Sequence, residues 1–196
     1  MSFTKKMTVL AIAAGFSSLV SAADGVINFT GSITAASCSV TAGAGTTVGG
    51  QGGSQTISVA MGAVSTDSLG DSSAANIVGA KTVNLNLDCG GTANGLSSVK
   101  LQFDPASGSG IDTNNNALLK TTGNATGVGI GLYNSSNELI NLSGNGNVVG
   151  QLVPTGTNPN ITYSANLNLR AAYVANGQTL GAGTANGTLP FTLIYE

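Results

Sequence analysis

Apolar and polar residues alternate with period two along most of this chain. Val83, Leu85, Leu87 and Cys89 alternate with Asn84, Asn86 and Asp88. Val99, Leu101 and Phe103 alternate with Lys100 and Gln102. Val128, Ile130 and Leu132 alternate with Gly129 and Gly131, and Leu167, Leu169, Ala171 and Tyr173 alternate with Asn168, Arg170 and Ala172. A period of two sends one face of an extended strand into a core and the other into water. Clusters of Gly, Asn and Ser interrupt these runs at residues 43–53, 90–95, 107–110, 134–137, 144–147 and 156–160. They read as turns. A short strand is expected at residues 117–120. No stretch of ten or more residues carries a helical stripe. Many short strands with regular turns predict an all-β sandwich in one domain. The Gly-rich segment 41–54 reads as a long connection inside that domain.

The two ends carry the same signal at greater length. Ile27, Phe29, Gly31 and Ile33 share one face of an extended segment near the start. Gly183, Ala185, Gly187, Leu189, Phe191, Leu193 and Tyr195 share one face at the end, just before Glu196. Both termini therefore read as long, flat, apolar strands.

The extreme N-terminus reads differently. Lys5 and Lys6 precede an uncharged run over 7–19, and Ser21, Ala22 and Ala23 follow. A short basic region, a short apolar run and small residues make a secretory signal peptide, residues 1–23, cleaved after Ala22 or Ala23. The run is too short for a membrane span, which takes about 20 apolar residues. Residues 24–196 then form the mature domain. That domain has four basic residues (Lys81, Lys100, Lys120, Arg170) against eight acidic ones, a net charge of −4. The deficit of cations excludes a phosphate-binding stripe, so nucleic acid is not an expected partner. Cys38 and Cys89 are the only two cysteines. In an exported chain such a pair is expected to form a disulfide.

Candidate chemistry is sparse. With no histidine in the sequence, neither a Ser-His-Asp nor a Cys-His arrangement is possible. Asp67, Asp71, Asp88, Asp104, Asp112 and Glu138 are scattered among turns and read as solvated surface. Asp112, Asn114 and Asn116 match the opening of a calcium loop, but Ala117 stands where a glycine is needed and Gly123 where the closing glutamate belongs. No enzyme activity, cofactor or metal is expected.

Taken in order, these features resemble the pilin subunits of chaperone–usher fimbriae, the type 1 and P pilus group. The segment G-V-I-N-F-T-G-S-I-T-A-A-S-C-S-V, with Gly31, Cys38, Cys89, Gly183 and penultimate Tyr195, carries the resemblance. It implies an incomplete immunoglobulin-like β-sandwich lacking its last strand, completed by donor-strand exchange. Residues 24–37 would be the donor strand, with Ile27, Phe29 and Ile33 as its inserted side chains and Gly31 where no side chain fits. The last strand, Gly183, Ala185, Gly187, Leu189, Phe191, Leu193 and Tyr195, would line the acceptor groove and face the chaperone, with Glu196 as an anchor. The implied partners are a periplasmic chaperone, an outer-membrane usher and neighbouring subunits. The implied location is the periplasm in transit, then a fimbrium on the bacterial surface. Two alternatives remain: a single-domain tip adhesin, or a secreted carbohydrate-binding β-sandwich. The lack of Trp and the scarcity of other aromatics weigh against both sugar-binding readings.

Overall fold

The computed structural model describes residues 38–50, 55–71, 77–144 and 146–196. The expected signal peptide and donor segment lie outside these residues. Within them every strand pairing is antiparallel. The larger sheet runs in the order β1 (Ser39–Ala42), β4 (Lys81–Gly90), β10 (Thr162–Ala175), β7 (Val128–Tyr133) and β6 (Leu119–Lys120). β9 (Val153–Thr155) pairs with the start of β10. The second sheet runs β11 (Phe191–Tyr195), β5 (Ser98–Phe103), β8 (Asn147–Gln151). β2 (Thr46–Gly49) and β3 (Thr56–Val59) form a separate two-stranded ribbon. Among the described residues no helix is long and apolar enough to cross a membrane.

The core follows from the alternation. Val83, Leu85, Leu87 and Cys89 of β4 and Ala165, Leu167, Leu169 and Ala171 of β10 are all buried on one face. They pack in one cluster with Val99, Leu101 and Phe103 of the opposing sheet. β4 and β10 pair in a register that sets Leu167 beside Leu85 and Leu169 beside Val83, so each apolar layer is continuous across the sheet. The disulfide between Cys38 and Cys89 ties the start of the described chain to the end of β4.

Three expectations need correction. The segment 41–54 was expected to be only a connection. It supplies the end of β1 and all of β2. The alternate positions Gly129 and Gly131 of β7 and Ala172 of β10 were expected to face water, yet all three are buried. A second small cluster, Leu118, Tyr133, Ala172 and Val174 with Ile77, Ala80 and Leu139, covers that outer face. The C-terminal strand was expected to begin at Gly183, yet the ladder begins at Phe191. Pro190 has no N–H to donate to a ladder. The residues before it are held instead by isolated bridges, Thr126 to Gly181 and Thr122 to Asn186.

Candidate functional site

The C-terminal strand is where the sandwich stays open. β11 pairs with β5 in a register that sets Phe191 beside Phe103, Leu193 beside Leu101 and Tyr195 beside Val99. Residues directly opposite in an antiparallel pair point to the same face. On β5 these side chains are sealed, with Val99 at 0%, Leu101 at 1% and Phe103 at 8% exposure. Their β11 partners are only half-buried. Burial therefore fails within one strand spacing, about 4.8 Å. Among the described strands β11 pairs only with β5, and β3 only with β2.

Between them lies a groove of about 1160 Å³. One wall is Leu189, Phe191, Leu193 and Tyr195, and the other is Ile57, Val59 and Met61, on β3 and just past it. Core side chains make the floor, among them Leu101, Phe103, Leu119, Ile130, Leu169 and Ala171. Both walls pack against the main core while remaining half-buried. A smaller hollow of about 570 Å³ lies on the outer face among Gln102, Asp104, Ser143 and Ile194. Phe103, Ile111 and Leu142 also line it, but it is half the size of the groove.

The expected last-strand residues divide within this geometry. Ala185, Gly187, Leu189, Phe191, Leu193 and Tyr195 line the groove. Gly187 sits tightly against its floor: a Cβ there would lie 2.8 Å from Ile130 Cδ1 and 2.9 Å from Leu119 Cδ2. Gly183 is not in the lining. A Cβ at Gly183 would lie 2.5 Å from both the Ala125 N and Asn124 Oδ1, so this glycine serves the contact with residues 124–125. Glu196 also lies beyond the lining. Its side chain bridges to Lys100 Nζ at 2.7 Å, and its terminal oxygen accepts from the Ser97 and Ser98 N–H groups at 2.7 and 2.9 Å. The β3 wall was missed by sequence reading. The alternation of Ile57, Val59 and Met61 with Ser58 and Ala60 was the available signal. Ile27, Phe29, Gly31 and Ile33 lie outside the described residues.

Polar groups close the ends of the groove. Tyr195 Oη accepts from the Cys38 N–H at 2.9 Å. Tyr173 Oη donates to the Ala185 carbonyl at 2.6 Å, and burial raises the pKa of this phenol. Among the described residues no group of three or more His, Cys, Asp or Glu side chains is placed to hold a metal ion. The acids lie apart from the groove, and Asp112 corrects the expectation of solvated surface. It is 5% exposed, and its carboxylate accepts from the Asn114 and Asn115 N–H groups and from Asn176 Nδ2.

The described residues thus form an antiparallel, immunoglobulin-like sandwich with an apolar groove beside its C-terminal strand. The chain belongs to the fimbrial protein family, whose model matches residues 27–196. As a fimbrial protein it is a structural subunit of an extracellular appendage. In fold it resembles a chain from a chaperone–usher pilus, in a structure concerned with rod uncoiling. The TM-score is 0.52 and the identity 21%, over 89% of this chain and 96% of that one. It is also similar to the tip adhesin CupB6 from Pseudomonas aeruginosa, with TM-score 0.41 and 22% identity over 58% of this chain and 30% of that one. The P pilus rod subunit PapA matches with TM-score 0.38 and 18% identity, over 87% of this chain and all (100%) of that one. No curated protein matches the chain significantly.

Proposed function

We propose that this fimbrial protein polymerises by donor-strand complementation. Residues 24–37 of one subunit enter the groove of the next, where they pair with β11. The observation that supports this most directly is the drop in burial between β5 and β11 at matched register. An inserted strand would cover the half-buried faces of Phe191 and Leu193 and satisfy backbone groups that an open sheet edge leaves unpaired. Ile27, Phe29 and Ile33 are the inserted side chains, and Gly31 stands where the floor leaves no room for one. Before assembly the same open edge requires a periplasmic chaperone, which lends a strand until an outer-membrane usher passes the subunit to its neighbour. The chain has no catalytic role in this scheme.

Two measurements test the reading. The exported chain is expected to form multimers that resist cold detergent, and Phe29→Asp or Ile33→Asp to leave it monomeric. A synthetic peptide of residues 24–37 is expected to raise the melting temperature of the monomeric variant by more than ten degrees, as tight binding to the folded state alone requires. A stable monomer that ignores the peptide would show the sandwich to be complete in itself, and the polymer scheme would be abandoned.

A further inference from the structure

The groove has two walls of unequal support. β11 is held along its whole length by β5. β3 belongs to neither large sheet and pairs only with the four-residue β2 among the described strands. A two-stranded ribbon is marginal by itself. Something must hold the β3 wall at a fixed distance from the rest of the domain, because an inserted strand needs both walls one strand spacing away.

Packing of Ile57 and Val59 on the core and bonds between Asn84 and residues 43–46 hold part of the ribbon, and the outer edge of β1 fastens the start of β3 itself. β1 is the outermost strand of the larger sheet. Every second residue of such an edge turns its N–H and C=O outward. At Val40 both groups are taken by one side chain. The Val40 N–H donates to Gln55 Oε1 at 2.8 Å, and Gln55 Nε2 donates to the Val40 carbonyl at 2.9 Å. A primary amide has one acceptor and one donor side, so it reproduces both bonds that a neighbouring strand would make. Two residues earlier, the Cys38 N–H donates to Tyr195 Oη. Gln55 immediately precedes β3, and Tyr195 ends β11. The two walls are thus pinned two residues apart, one at Val40 of β1 and the other at Cys38 just before it.

We propose that Gln55 is a positioning residue for strand uptake: its amide fastens the β3 wall to β1, sets the groove width at that end, and slows the escape of an inserted strand. This rests on the donor-strand reading above. Gln55 also lines the groove, but both ends of its amide are taken by Val40. It acts through the wall that follows it.

The test uses the full exported chain carrying Phe29→Asp, which the reading above leaves monomeric with its groove free, and a labelled peptide of residues 24–37 of the unaltered sequence, with release followed after dilution into excess unlabelled peptide. Gln55→Leu fills a similar volume with neither bond and is expected to release the peptide about tenfold faster, as the loss of two net hydrogen bonds implies. Gln55→Glu keeps an acceptor for the Val40 N–H but has no donor for its carbonyl, and is expected to fall between. Thr47→Ala, on the exposed side of β2 and outside the groove lining, is expected to match the parent. Hydrogen exchange separates positioning from general weakening: the Val40 amide is expected to exchange faster in Gln55→Leu, with Leu85 and Leu167 unchanged. Parental release rates in Gln55→Leu overturn the proposal and leave the groove reading intact. If Gln55→Leu does not fold, parental release in Gln55→Glu overturns it in the same way. Faster exchange throughout the sheet overturns the positioning role. A Phe29→Asp parent that takes up no peptide overturns both readings together.

Discussion

Tyr133 shows how much a single side chain can hide. It is fully buried in the small outer cluster, and its hydroxyl has no hydrogen-bond partner among the described residues. Burial first, and the charge of Asp71 second, push its pKa above the ordinary 10.0. The folded state therefore keeps a proton that the unfolded state releases near pH 10. The stability tied to that proton is complete below pH 10 and is lost as pH rises from there through the folded value. Tyr133→Phe removes an unsatisfied polar atom, so it is expected to be neutral or to stabilise by up to about 1 kcal/mol at pH 7. Above pH 10 its stability should fall less steeply than the parent's, as urea melts across pH 8–11 would show. Tyr173, also shifted upward, keeps part of the slope in the variant. Neither this burial nor that of Asp112 was legible in the sequence. Asp112 meets Asn176 from 64 residues away. Only the folded topology brings that amide to it.

At the scale of elements, alternation predicted β4 and β5 well, because each presents one apolar face to the main core, but for β10 it missed the second face, where Ala172 and Val174 are buried in the outer cluster. It failed for β7, whose six residues are all buried. Glycine at 129 and 131 has no side chain to declare a buried face, so the pattern read as half-solvated. For β11 the alternation was right and the length was not, since Pro190 stops the ladder while the apolar spacing runs on. The open face of β11 makes its own prediction. Leu101 and Leu193 are directly paired, but Leu101 is sealed and Leu193 is half-buried. Leu101→Ala is expected to cost about 3 kcal/mol in the free subunit, and Leu193→Ala only about 1–2 kcal/mol. With peptide 24–37 bound the two losses should converge, because Leu193 then loses its water. Chemical denaturation of both variants with and without peptide checks this, and equal losses in the free subunit would contradict the open groove.

Over the whole molecule, the disulfide and the groove share a boundary. Cys38 is bonded to Cys89 and donates its N–H to Tyr195. The covalent tie spans 51 residues of chain. Replacing both cysteines by alanine is expected to lower stability by about 4 kcal/mol through loop-closure entropy. The same change is expected to loosen the Tyr195 contact. Denaturation midpoints of the double variant check the first effect, and exchange of the Cys38-position amide checks the second.

Composition and period-two alternation alone determined the all-β class, the faces of β4 and β5, the inner face of β10, the cysteine pair and the apolar character of both ends. These are local properties: each depends on a residue and its neighbours two positions away. The resemblance to pilins added the order of parts. Only the tertiary structure decided that the β11 face stays half-covered, that 57–61 supplies the opposite wall, and that Gln55 and Tyr195 meet the chain two residues apart, at Val40 of β1 and at Cys38 just before it. Groove and clamp alike are relations between segments far apart in sequence, and no periodicity within a segment encodes which other segment will stand beside it.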